Sequence, residues 1–390
     1  MADFNIQRGE ATIASSGSSI TITAGSEYTA PSATSKAFIR ITGNGYAGDG
    51  INKTYPGNSS HTRVWITNPS NLLTSITFSR QGTPVNAEKI QWEIIEYVGS
   101  AGGAYEIKVL HEELMSFGAS DVTKDTSTVS GVATDADVLP FITSQGCTSG
   151  ASADVELEEF AFTSEWIGAS DVARMVRGDT ITRTSVVSLA VVEFTGSNWR
   201  VERVTHTYTT AATEETETLG TTLGATTQAF IHPQIRIDSG SAVGVRRGNH
   251  KVWISSTSQL TFYAKLINTT PPFSVAWVVE DTSGGMVVEH LSGTRAATGI
   301  LDDGPETWAE TVNSVTLTTA SVMGECAVPN NGNRSNQALM GVRLTAATTA
   351  TLSRGSTYYT REYRFSVVQW PTATSSVPIF TNHLMQLNNN

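Results

Sequence analysis

The sequence predicts an all-β chain built from four tandem small β-sandwich or barrel modules of about 80–100 residues each. Three observations carry that expectation. Short segments rich in Val, Ile, Thr, Phe and Tyr alternate with turn clusters of Gly, Ser, Asn and Thr along the 390 residues. Two short strings recur four times at nearly fixed spacing. The composition, 39% hydrophobic and 16% charged, is apolar enough for real cores and too low in charge for a disordered chain.

The clearest recurring string is a pair of apolar, mostly β-branched residues followed by an acid or amide: IIEYVG at 94–99, VVEFTG at 191–196, VVEDTSG at 278–284 and VVQWP at 367–371. Its acid or amide falls at Glu96, Glu193, Glu280 and Gln369. A basic residue precedes it by 16, 16, 15 and 15 residues, at Arg80, Arg177, Lys265 and Arg354. Two elements in four copies with so little scatter indicate internal duplication. Further upstream stand apolar triplets, AFI (37–39), PFI (140–142), AFI (229–231) and SVM (321–323). Opening strands FNIQ (4–7), YEIK (105–108), WRVE (199–202) and MVVE (286–289) come before those. The modules are therefore drawn as 1–100, 101–197, 198–285 and 286–374, with a C-terminal tail at 375–390.

In chain order, ITITAGSEYTA (20–30) alternates apolar and polar residues as a half-buried strand does. TRVWI (62–66) and HKVWI (250–254) read as matching strands of modules one and three. The basic string and the acid string read as adjacent antiparallel strands, with the two charges facing each other across a hairpin. In WEIIEYV both faces are apolar, Trp92 and Ile94 on one and Ile95 and Tyr97 on the other. Such a strand is covered on both sides, by its own second sheet and by a neighbouring module or chain. KVLHEELMSF (108–117) admits a short helix, whereas SDVARMVRG (170–178) reads as strand because it aligns with the other copies. Linkers are nearly absent, GSAGGA (99–104) being the loosest, which predicts a semi-rigid row of modules.

A net charge of −11 argues against a nucleic-acid partner. No apolar run approaches a membrane-spanning length, and MADFNIQRGE lacks the plan of a signal peptide. Cys147 and Cys326 make no disulfide framework and read as quiet thiols in a protein assembled in a reducing cytosol. The histidines at 61, 111, 206, 232, 250, 290 and 383 show no zinc-site spacing. Gly48-Asp49-Gly50 and Asp302-Asp303-Gly304 read as solvated turns, and Glu158, Glu159, Glu214 and Glu215 lie in polar runs without a pocket signal. Arg177-Gly178-Asp179 spells an adhesion tripeptide, but the repeat already accounts for its Arg-Gly as a turn after a strand. No catalytic, cofactor-binding or metal-binding residue is assigned, no cofactor is expected, and the chain is not read as an enzyme.

The opening FNIQRGEATIASSGSSITITA with SKAFIRI, and the module ending SRQGT…WEIIEYVG, resemble tandem β-module structural proteins of tailed bacteriophage virions. The match is best at Ile94–Gly99 and Val191–Gly196 and looser at Val278–Asp281 and Val367–Trp370. The resemblance implies a non-enzymatic protein on the particle surface, a capsid decoration or stabilising protein or a head or tail fibre. Its partners would be other virion proteins of capsid or tail and its own copies, with no nucleic acid and no membrane insertion. It would be made in the host cytoplasm and located in the virion. The alternative is a receptor- or glycan-binding tail-fibre or adhesin protein, using aromatics such as Tyr46, Trp166, Trp308, Tyr358 and Tyr359 on a host-surface glycan. In the tail, Val377, Ile379, Phe380, Leu384, Met385 and Leu387 could dock on another chain or fold back on module four.

Overall fold

The computed structural model describes residues 2–47, 64–80, 87–148, 161–178, 184–209, 214–236, 250–264, 272–297, 306–329, 340–354 and 360–372. The chain is all-β. Module one contributes β1 (Phe4–Ile13), β2 (Ser19–Thr23), β3 (Ala37–Ala47), β4 (Trp65–Ile66), β5 (Ser75–Ser79) and β6 (Ala87–Tyr97). Module two follows with β7 (Lys108–Phe117), β8 (Thr123–Asp125), β9 (Val138–Cys147), β10 (Phe162–Ile167), β11 (Val172–Arg177) and β12 (Ser185–Glu193). Module three has β13 (Trp199–Thr207), β14 (Glu214–Thr218), β15 (Ala229–Arg236), β16 (His250–Ser256), β17 (Gln259–Ala264) and β18 (Phe273–Asp281). Module four has β19 (Val287–Arg295), β20 (Glu306–Thr311), β21 (Ala320–Pro329), β22 (Met340–Ala346), β23 (Thr349–Arg354) and β24 (Arg361–Gln369).

Every module repeats one topology. Its first, sixth and third strands form an inner three-stranded sheet, and its second, fifth and fourth form an outer one. All pairings are antiparallel, and a 3-10 turn leads into the third strand each time, at Thr34–Lys36, Asp135–Asp137, Thr226–Gln228 and Leu317–Thr319. The sixth strand is central in the inner sheet, so its backbone is saturated on both edges and its side chains face two cores. On β6, Ile90, Trp92 and Ile94 join the core between the two sheets of module one, whereas Ile95 and Tyr97 join a cluster drawn from all four modules. The two-faced strand read from WEIIEYV thus has both of its covers. Trp92 also explains Gly9 on β1, where a Cβ would come within 2.2 Å of the indole ring.

Three expectations need correction. First, the basic and acidic strings are not hairpin partners: β5 and β6 lie in opposite sheets of the sandwich, and the same holds in the other modules. The spacing fits two strands and a loop, but the loop crosses between sheets, because the outward-turned string packs with the second strand. Second, KVLHEELMSF contains no helix. It is strand β7, paired along its length with β12 and with a register shift that leaves Leu110 unpaired in the ladder.

Third, the modules close into a ring instead of a row. The first strand of each module rests on the 3-10 turn of the one before: β7 on Thr34–Lys36, β13 on Asp135–Asp137, β19 on Thr226–Gln228, and β1 on Leu317–Thr319. Likewise β4 meets β9, β10 meets β15, β16 meets β21, and β22 returns to β3. An antiparallel bridge between Ala2 and Thr372 fastens the ends. The physical reason is the second apolar face of the inner sheets. In a row it would remain in water; in a ring Phe4 stacks on Trp370 at 4.6 Å and meets Trp199 edge-on at 6.3 Å, so modules one, three and four share one aromatic axis.

Candidate functional site

Among the described residues, the repeated polar side chains occupy a clamp post in all four modules and a cap post in modules one, two and four. The acid or amide of the sixth strand clamps the backbone ahead of the 3-10 turn. Glu96 Oε1 accepts the Ser32 N–H at 2.6 Å, and Glu193 Oε1 accepts those of Ala133 and Thr134, both at 2.6 Å. Glu280 Oε1 accepts the Gly224 N–H at 2.6 Å, and Gln369 Oε1 accepts that of Thr316 at 2.7 Å. An amide serves in module four because only an acceptor oxygen is required. The spare Gln369 Nε2 donates to the Thr319 carbonyl at 3.1 Å.

At the other end of the sandwich, in modules one, two and four, the basic residue at the end of the fifth strand caps the turn between the first two strands. Arg80 donates to the carbonyls of Gly17 at 3.0 Å and Ala14 at 2.9 Å. Arg177 donates to Gly118 at 3.0 Å and Ala119 at 3.3 Å, and to Ser185 Oγ at 2.8 Å. Arg354 donates to Ala296 at 2.9 Å and pairs with Glu306 at 2.6 Å. Lys265 lies outside the described residues. These guanidinium groups satisfy carbonyls that have no ladder partner, a role suited to a planar multi-donor cation. Arg177 is fully buried in that role, which removes the guanidinium of the Arg-Gly-Asp string from the surface; Asp179 is outside the described residues.

Burial shapes the titration of several of these groups. Glu88, enclosed beside Arg80 at 3.4 Å, is pushed up to about 7 by desolvation despite its cation. Arg361 is brought down to about 9 by burial and the neighbouring Arg354. His232 falls to about 3 because it is wholly enclosed; its Nε2 accepts the Ile142 N–H at 3.2 Å, as a neutral ring can.

The seams between modules carry further buried polar contacts. Between modules two and three, Ser164 N–H donates to Gln234 Oε1 at 2.7 Å and Trp277 Nε1 donates to Ser164 Oγ at 3.1 Å. Between one and two, Phe38 and Phe141 meet with centroids 5.1 Å apart and Ser144 Oγ accepts the Ile66 N–H at 2.8 Å. Between three and four, Lys251 pairs with Glu362 and Arg364 covers the Trp253 ring at 3.9 Å. Between four and one, Arg40 donates to the Val322 carbonyl at 2.7 Å, Arg8 to that of Leu317 at 2.7 Å, and Glu93 accepts the Val322 N–H at 3.2 Å.

The remaining residues singled out in the sequence divide as follows. His206 lies between Glu217 at 2.8 Å and Glu215 at 3.2 Å, but on opposite ring nitrogens, so the three do not converge on one point. His111 pairs with Glu113 at 2.9 Å, and His290 bridges Ser366 and the Thr226 carbonyl at 2.8 and 2.9 Å. Among the described residues no three His, Cys, Asp or Glu side chains gather as metal ligands. No helix among the described residues is long and apolar enough to cross a membrane.

Trp166 packs partly buried against two core clusters and donates to Asp135 at 2.9 Å, and Trp308 is only 9% exposed. Glu214 and Glu215 lie on β14, an outer edge strand. His61, His383, Tyr358, Tyr359, Glu158, Glu159, both Asp-Gly turns and the 375–390 tail lie outside the described residues, as do the side chains of Tyr46, Cys147 and Cys326.

Sequence reasoning found the clamp and the cap as positions but not as contacts. It missed Arg8, Arg40 and Glu93 altogether. The available signal was Glu93, a carboxylate set among Trp92, Ile94 and Ile95 in a strand that the sequence reads as covered on both faces. No protein-family model matches this chain, and no curated protein is similar to it in sequence.

Proposed function

We propose that this chain is a non-enzymatic structural protein of a tailed-bacteriophage particle, displayed on its surface as a capsid decoration or stabilising protein or as part of a head or tail fibre. The observation that carries the reading is where the repeated ionisable side chains are spent. The clamp acids and the cap arginines bind the chain's own backbone, and the seam charges bind neighbouring modules. That is the economy of a rigid building block, with four copies of one sandwich fixed around a shared aromatic axis. The similarity of the Ile94–Gly99 and Val191–Gly196 strings to virion β-modules supplies the setting. In this reading the partners are capsid or tail proteins and further copies of this chain, and the net charge of −11 keeps the parts soluble until assembly. Mass spectrometry of purified particles is expected to find the chain in fixed stoichiometry, and a cryo-EM map to show its four-lobed ring on the surface. Particles that lack it, or a glycan array on which it binds sugar with high selectivity, would overturn this reading in favour of another.

A further inference from the structure

One spot on the third strand holds a different chemistry in each module: Arg40, Phe141, His232 and Met323. Three of these reach the third strand of the preceding module. Phe141 meets the Phe38 ring, His232 takes the Ile142 N–H, and Arg40 crosses to the Val322 carbonyl of module four. Four similar sandwiches on one chain face a docking problem, since each inner sheet could seat on the wrong neighbour. Short junctions resolve it for three seams by holding consecutive modules at high effective concentration. The seam between modules four and one has no such link, and it is the seam where buried charge concentrates.

We propose that Arg8, Arg40 and Glu93 are the specificity key that seats module one on the 3-10 turn and free edge of β21 and turns it away from the corresponding edge of β9 in module two, closing the ring at four modules. The three side chains read that edge group by group. Arg8 takes the Leu317 and Ala320 carbonyls, Arg40 takes the Val322 carbonyl, and Glu93 takes the Val322 N–H while holding Arg8 at 3.5 Å. The edge of β9 fails the test chemically. At the position of Val322 the third strand of module two carries Pro140, opposite Val191 as Val322 is opposite Val367. Proline has no N–H to offer, so Glu93 would be buried with that bond unmade. The device is selection by the cost of wrong pairing more than by the strength of the right one.

The full-length chain tests this with a reporter at the ring's fastening. Ala2→Cys and Thr372→Cys, in a Cys147→Ser/Cys326→Ser background, place a thiol pair on the Ala2–Thr372 bridge. After unfolding, refolding and oxidation, the otherwise native chain is expected to form this disulfide within one chain. Adding Arg8→Met, Arg40→Met and Glu93→Leu is expected to keep the β-fold but lower the equilibrium constant for this disulfide in a glutathione buffer by about tenfold, read at a dilution that keeps the link within one chain. An unchanged constant would overturn the proposal. Should the triple substitution fail to fold, Val322→Pro alone, which gives β21 the chemistry of β9 at the N–H that Glu93 takes, decides the matter: a fall in that constant supports the key, and none overturns it.

Discussion

Glu193 holds two backbone amides with one carboxylate oxygen, and Gln369 performs the same service in module four with a neutral amide. The charge at this post is therefore dispensable while the acceptor is not. Glu193→Gln is expected to leave the melting temperature nearly unchanged, whereas Glu193→Ala strands the Ala133 and Thr134 N–H groups and costs about 1–3 kcal/mol in denaturant titration. Glu88 behaves oppositely, because there the charge itself is the burden. Its carboxyl titrates near 7 in the folded protein against an ordinary 4.5. The folded state therefore holds the proton more tightly than the unfolded state. The resulting stabilisation is full below about pH 4.5 and is lost as pH rises through 7, a change of about 3 kcal/mol by linkage. Glu88→Gln should flatten the stability profile between pH 5 and 8, as thermal melts across that interval would record; a variant profile parallel to the native one would refute the assignment.

At the scale of elements, the outer sheets expose their second strands as free edges. β14 is such an edge, pairing only with β17, and its sequence EETET turns Glu214, Thr216 and Thr218 to solvent. Charge on an edge strand opposes sheet-to-sheet association. Glu214→Ile with Thr216→Ile is expected to leave the monomer's melting temperature close to native while static light scattering rises with concentration. Most strands were legible in sequence, since TRVWI and HKVWI both mark fourth strands and the apolar triplets all fall on third strands, whereas YEIK meets its strand only at Lys108 and the alternating stretch 20–30 leaves its strand after Thr23. What sequence could not assign was the partner of each strand. A spacing of 15–16 residues fits a hairpin and a crossing between two sheets equally well, and only the packing of β5 beside β2 decides between them.

At the scale of the whole molecule, the aromatic axis makes the modules interdependent. Phe4 touches Tyr97, Trp199 and Trp370, residues of three modules. Phe4→Ala is expected to cost about 3–5 kcal/mol, with lost amide protection in hydrogen exchange spread over modules one, three and four instead of confined to the first. Calorimetry of the native chain should accordingly show one dominant cooperative transition; four separable transitions would contradict a shared core.

The amino-acid sequence by itself determined the all-β class, the four-fold repeat and the positions that repeat, because strand periodicity and spacing are local properties written in consecutive residues. Even the second apolar face of WEIIEYV was plain, together with its need for a cover. Tertiary structure alone decided what that cover is. Whether four modules lie in a line or close on themselves depends on contacts between residues hundreds of positions apart, such as Arg40 with Val322 and Phe4 with Trp370. No local pattern encodes those pairings; they arise because burying the inner faces against one another leaves less apolar surface in water than any open arrangement.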